Sequence, residues 1–273
     1  APSIQYDRSA RVVVGRGLES GALPVPEIEW AYGRDEGYRI TASIEKTMRP
    51  EPNRATVQIY NLSKSDRARI TGLVADTATG DTQQRSIQIY AGYGSRPESV
   101  FVGDLINVRH EWSAPDWITT LEGGWERYGG ADLSSSFLGV NYSDIMQLAG
   151  AALNMDTSTA EADVARALPG YRKQVVTNGA VFVGPAKDAM NEAAGAPGVM
   201  GANDDGKLTI IPEGAIATDF AVVVSPDTGL IGQPVAKEFE RYEARWLLNP
   251  KARPGRQILL RDFDGLPVGA GAF

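Results

Sequence analysis

The sequence predicts an α+β protein that is mainly β, with strand-rich ends around a smaller α+β middle. Three observations carry this. Apolar and polar residues alternate through Tyr38, Ile40, Ala42 and Ile44, and again through Ala55, Val57 and Ile59, the period-two signature of half-buried strands. Gly (30) and Pro (16) are both high for 273 residues, which suits many short strands joined by turns. Near residue 130 the spacing of apolar residues shifts to a helical period, and it returns to strands from Ala215 onward.

Taken in order, Arg11–Val14 is a strand, and Leu23–Pro26 is too proline-rich for a helix. Residues 38–60 form an antiparallel hairpin around the turn Arg49–Asn53, in which two prolines fix φ. Ser63, with Asp66 three residues on, caps a short helix that ends near Gly72. The polar stretch 73–85 reads as an exposed loop. Ile87, Ile89 and Ala91 form a strand closed by a Gly-Tyr-Gly turn, and Val100–Val108 with Trp117–Glu122 make a second hairpin around Ser113–Asp116. Six or more strands in this first part predict a small barrel or sandwich.

In the middle, Ser143 caps a helix presenting Ile145, Leu148, Ala149 and Ala152 on one face. A second helix is expected over 159–168, closed by Pro169-Gly170. A third follows Gly184-Pro185, with proline at its first turn. Asn203-Asp204-Asp205-Gly206 is a hairpin turn feeding the strand Lys207–Ile211. Further strands are expected at Phe220–Val224, Ala236–Phe239, Ala244–Leu248 and Gln257–Arg261. The divisions are 1–128, 129–212 and 213–273.

Composition narrows the function. With 42% hydrophobic and 22% charged residues the chain packs a core. A net charge of −7 without any basic run argues against a nucleic-acid binder. There are no cysteines, hence no disulfides, thiolate catalysis or Cys-based zinc sites, and His110 is the sole histidine. The first residues lack the basic start and apolar core of a signal peptide, and no apolar run approaches ~18 residues. A chain with no membrane-spanning segment, cytoplasmic when made, is expected.

Each motif that resembles chemistry has a simpler reading. Val12–Gly21 is like a dinucleotide-binding turn, but Pro24 and Pro26 stand where the helix holding the pyrophosphate must begin, so it reads as a glycine-rich loop. Asp262-Phe263-Asp264-Gly265 lacks the Glu that would complete a calcium loop and reads as a turn, as does Asn203–Gly206. Among 34 acids no carboxylate pair sits in an identifiable motif. His110 reads as a surface or satisfied histidine. Trp30, Trp112, Trp117, Trp125 and Trp246 are unclustered and read as core or subunit-contact residues rather than a sugar platform. The sequons at Asn61 and Asn141 lack a secretory context. No catalytic, cofactor-binding or metal-binding residue, and no cofactor, is predicted.

Four sets of phrases then carry a resemblance. They are Lys46-Thr47 through Pro52–Ala55 with Ile59-Tyr60-Asn61-Leu62-Ser63; Ala91-Gly92-Tyr93 with Val100–Asp104 and Asp116–Thr120; Ala186–Ala194 with Asp205–Ile210; and Ser225–Pro234 with Leu247–Pro250 and Pro254-Gly255. In order and spacing they cover most of residues 38–260, and the chain resembles the baseplate hub (tail hub) proteins of tailed phages and related contractile injection systems. The resemblance implies two tube-like antiparallel β-barrel or sandwich domains flanking the middle domain. It further implies a homotrimer whose six such domains form a pseudo-hexameric ring between the sixfold tail tube and the threefold central spike. Implied partners are tail-tube and tube-initiator proteins, the spike, other baseplate proteins and the tape-measure protein, in the virion tail, assembled in the host cytoplasm. DNA would pass through the lumen without specific binding, repelled by the acidic balance. Such hubs usually continue past the last strand, so the second barrel is expected to be short or completed by a neighbouring chain. The stretch 73–85 is the expected contact with the tube or a neighbouring baseplate protein. Two alternatives remain: a sixfold distal-tail or tube-initiator ring protein, and a glycan or peptidoglycan hydrolase using two carboxylates.

Overall fold

The computed structural model describes residues 7–16, 25–32, 37–48, 53–78, 85–125, 131–153, 155–158, 160, 179–194, 199–212, 221–237 and 242–261. It is mainly β with a few helices, as the sequence predicts. Seven strands form one antiparallel sheet: β1 (Arg8–Arg16), β2 (Val25–Tyr32), β3 (Ile40–Glu45), β4 (Arg54–Tyr60), β5 (Arg85–Tyr93), β6 (Glu98–Ser113) and β7 (Asp116–Gly124), in the order β2-β1-β5-β6-β7-β4-β3. Among the described residues the sheet does not close into a barrel; β2 and β3 are its edges.

Alternation works as expected in β4, where Ala55, Val57 and Ile59 are buried while Arg54 and Thr56 face water. The same inward set from β1, β2, β5, β6 and β7 (Val12, Val14, Ile28, Trp30, Ile87, Ile89, Phe101, Leu105, Leu121) builds one core. Each such side chain contributes about 1.5–3 kcal/mol by leaving water. Strand β2 goes beyond the sequence reading, which stops at the prolines, although Ile28 and Trp30 alternate with the exposed Glu29. A bulge between Leu105 and Asn107 turns Ile106 outward and lets β6 run on past β5 to the β7 hairpin.

Helix α1 (Lys64–Ala78) covers one face of this sheet. Ser63 caps it: the Asp66 amide donates to Ser63 Oγ at 3.0 Å, and Ser63 Oγ donates back to the Asp66 carboxylate at 2.9 Å. The expected stop at Gly72 is wrong. Gly72 lies on the solvent side with open space around it, and Leu73 continues the inward stripe from Ile70, so burial outweighs the ~1 kcal/mol glycine penalty. The polar stretch is therefore helix through Ala78, and β5 begins at Arg85.

The middle of the chain has its own core. The antiparallel pair β8 (Asp132–Phe137) and β9 (Ala180–Pro185), helices α2 (Tyr142–Ala152) and α3 (Ala186–Ala194), and hairpin β10 (Val199–Asp204) and β11 (Lys207–Pro212) enclose Trp125, Leu133, Ile145, Met146, Ala149, Met190, Leu208 and Ile210. The sequence misplaces two details of α2. Asn141 precedes the helix, its amide and side chain both donating to the Asp144 carboxylate at 3.2 and 3.0 Å, while Ser143 is the buried second residue of the helix. Met146, not Leu148, fills the inward stripe; Leu148 is exposed. The expected helix over 159–168, Ala160 apart, and the turn at Asp262–Gly265 lie outside the described residues, as do 49–52 of the first turn.

The last part pairs β12 (Val222–Val224) in parallel with β15 (Ile258–Leu260), and β13 (Leu230–Ala236) antiparallel with β14 (Tyr242–Trp246). A 3-10 turn at Pro226–Thr228 precedes β13 and ends at Gly229, whose φ of 101° requires glycine. Of the strand expected over Ala236–Phe239, residues 238–239 lie outside the described residues, and Ala236 is the last residue of β13, which begins at Leu230.

Candidate functional site

The turn Asn203–Gly206 is where the three parts of the chain meet. Asp205 (φ 56°) and Gly206 (φ 86°) both take the left-handed conformation of a two-residue hairpin turn. A Cβ at Gly206 would also lie 2.7 Å from the Trp125 ring, so glycine is required twice over. The turn is pinned from inside, Asn203 Oδ1 accepting the Gly206 amide at 2.8 Å, and from the sheet, Asn53 Nδ2 donating to the Asn203 carbonyl at 2.7 Å.

Two cations converge on its carboxylates. Lys46 Nζ, just past β3, lies 3.1 Å from Asp204 Oδ1 and 2.7 Å from Asp205 Oδ1. Arg253 Nη1, from the turn 249–256, lies 3.3 Å from Asp204 Oδ2 and 3.1 Å from Asp205 Oδ2. Arg253 Nη2 donates to the Ser99 carbonyl at 3.0 Å, and the Val102 amide donates to Asp205 Oδ1 at 3.1 Å. Asp205 is the most enclosed of the four, its side chain 9% exposed. Burial raises the Asp205 carboxyl above the usual carboxylate range, and the adjacent Asp204 charge adds to this against the pull of Lys46 and Arg253. Asp204 is also pushed up by burial, yet Lys46 and Arg253 together outweigh this and hold it below that range.

Chemically the cluster is a weld: Asp205 Oδ1 takes an ammonium and an amide and Oδ2 a guanidinium, so one carboxylate ties together three segments of the chain. Beside it a cleft of about 680 Å³ opens between Ile44, Met48 and Val100 of the sheet part and Trp246, Leu248 and Ile258 of the last part. Sequence reasoning found the turn but not its partners, which lie 158 and 49 residues away.

The other motifs resolve into structure. Gly15 and Arg16 stay in β1, paired with β2 and β5, and the chain re-enters as strand at Val25, where a dinucleotide fold needs a helix. His110 Nδ1 and Nε2 each lie 3.0 Å from a hydroxyl, of Thr119 and Thr71, fastening α1 to β6 and β7. Burial first, then the Arg67 charge, lowers the His110 pKa, against a hydrogen bond with the Arg67 backbone. Trp30 and Trp125 are core residues, and Trp246 lines the cleft. Trp112 and Trp117 pair at the exposed β6–β7 tip, centroids 5.5 Å apart, with the Arg67 guanidinium 4.0 Å over the Trp117 ring. Of the sequon asparagines, Asn61 Nδ2 donates to Asp116 at 2.8 Å and Asn141 flanks α2. Among the described residues no group of three His, Asp or Glu side chains is placed to hold a metal, and no helix is long and apolar enough to cross a membrane.

The sequence model of a family described as baseplate hub gp41 matches residues 25–262. No curated protein matches the sequence. Among solved structures, the chain is similar to the 43 kDa tail protein of prophage MuSo2 from Shewanella oneidensis, at 10% identity and a TM-score of 0.46, over 92% of this chain and 71% of that one. It is similar to the tail protein from Neisseria meningitidis MC58, at 10% identity and a TM-score of 0.45, over 92% and 71%. A chain of the Francisella PdpA–VgrG complex aligns at 10% identity and a TM-score of 0.43, over 95% of this chain and 41% of that one.

Proposed function

The chain belongs to the baseplate hub gp41 family, and from that premise we propose that it is the trimeric hub joining the tail tube to the central spike. As a member of that family it is a structural component of a phage tail baseplate. The match over residues 25–262 is the observation that carries the reading, because it spans the sheet, the middle core and the last strands alike. A geometric role also suits the junction, where side chains are spent on holding parts of the chain together.

In this reading residues 1–128 and 213–273 are the two tube-like domains and 129–212 the middle domain. The separate apolar cores of the sheet and of the middle part support such a division. Three copies supply six tube-like domains, and edge strands such as β2 and β3 pair across subunits, which also protects them from aggregation. Tube and tube-initiator proteins, the spike, other baseplate proteins and the tape-measure protein are the proposed neighbours, assembled in the host cytoplasm. The net charge of −7 favours a lumen that lets DNA slide through. No catalytic role is proposed.

Light scattering on the purified chain tests the trimer: three copies of a 29.3 kDa chain are expected, and a hexamer would favour the tube-initiator alternative. A zymogram on peptidoglycan is expected to stay blank, and a cleared band would reinstate the hydrolase.

A further inference from the structure

The last part of the chain is docked in an unusual way for a globular protein. Among the described residues its two small sheets, β12–β15 and β13–β14, pair only within 221–237 and 242–261. Among the described residues neither apolar core includes one from it, although Val222 and Val224 are buried. Two-stranded sheets of this size are marginal alone, so their position depends on what they rest against. Against the sheet part, Ile44, Met48 and Val100 and, from the last part, Trp246, Leu248 and Ile258 line a shared cleft of about 680 Å³.

What does reach across is the turn 249–256. Arg253 makes three hydrogen bonds over the boundary, to Asp204, Asp205 and the Ser99 carbonyl. Two residues on, Gly255 presses against Ile211 and Met48 so closely that a Cβ would strike both, and its φ of 78° also demands glycine. The aspartates that receive Arg253 are held independently, by Lys46, the Val102 amide and the Asn53–Asn203 contact. The socket is therefore preformed, and Arg253 is the removable plug.

We propose that residues 221–237 and 242–261 are a latched arm: Arg253 seated between Asp204 and Asp205 holds the arm against the sheet, and without it the arm swings out about the open cleft. The device gives the chain two arrangements, docked and released, with the sheet and the middle core unchanged between them. A guanidinium suits such a latch because its nitrogens engage separate partners, Nη1 the two carboxylates and Nη2 the Ser99 carbonyl, which fixes direction as well as charge.

The absence of cysteine makes the test clean. Nitroxide labels are placed at Thr56→Cys on the exposed side of β4 and at Gln233→Cys on the exposed β13, with a reference pair at Thr56→Cys and Ser134→Cys. Labelled chains are diluted into unlabelled chain, and distances are read by pulsed electron paramagnetic resonance. The parent chain should show one narrow distance for each pair. With Arg253→Gln added, the 56–233 distribution should gain a second, longer population while 56–134 stays narrow, and Arg253→Lys should give a smaller second population. An unchanged 56–233 distribution in Arg253→Gln would overturn the latch, since the rest of the contact would then suffice. Broadening of 56–134 as well would also overturn it, since the cluster would then support the whole fold and not the arm.

Discussion

Two glycines, replaced by the same residue, should change stability in opposite directions. Gly72 lies inside α1 on its solvent side, and a Cβ there meets no heavy atom within 4 Å. Gly72→Ala therefore removes only unfolded-chain freedom and should stabilise by about 0.5–1 kcal/mol. Gly123 lies in β7, where a Cβ would sit 2.8 Å from Ile87 Cγ2 and 2.9 Å from Phe101 Cε1. Ile87 and Phe101 are fully buried, so neither can retreat without displacing the sheet core. Overpacking of this kind costs about 1–3 kcal/mol, which separates the two variants by roughly 1.5–4 kcal/mol. Urea unfolding at one fixed protein concentration, followed by circular dichroism and tryptophan fluorescence, reads both midpoints. A loss of stability in Gly72→Ala would refute helical continuation through 72. An unchanged midpoint in Gly123→Ala would refute the packing of the Phe101 ring across β6 and β7.

Truncating Ile59→Ala in the sheet core or Ile145→Ala in the middle core, both fully buried, should each cost about 2–5 kcal/mol, read by denaturation. Hydrogen exchange should show the Ile59 change loosening the sheet far more than α2, as two separate cores require. Asn61, at φ 59°, bridges to the β7 start by accepting the Trp117 amide at 3.0 Å, so Asn61→Ala should destabilise by about 1–2 kcal/mol and Asn61→Gly by less on urea midpoints. His110 is the only histidine and its pKa is lowered in the folded chain, so the unfolded chain binds the proton more readily. Stability should thus fall as pH drops below about 6.5 and level off once the folded ring also protonates. His110→Gln should flatten the midpoint between pH 7.5 and 5.5, and an unaltered slope would contradict the assignment.

The sheet was legible wherever one face is wet. In β4, Ala55, Val57 and Ile59 alternate with Arg54 and Thr56, and that period can be read without coordinates. It failed where burial is not periodic along the chain. The β8–β9 pair escaped notice because Val181 and Val183 are exposed while Leu133 and Phe137, among serines, turn inward. Helix α1 outran its expected end because Leu73 has a core to pack against that only the sheet supplies. The junction was half legible: Asn203–Gly206 announces a turn, yet nothing local distinguishes Lys46 and Arg253 from the other 25 cations. Their selection is made by the fold, which brings them to the turn from far along the chain.

The hub account rests on symmetry more than on any side chain. Cryo-electron microscopy of an assembled tail, with the rotational order of the ring built by this chain determined without imposed symmetry, tests it most directly. A threefold ring between tube and spike is the predicted result. A sixfold ring would contradict the hub and move the chain to the tube-initiator position.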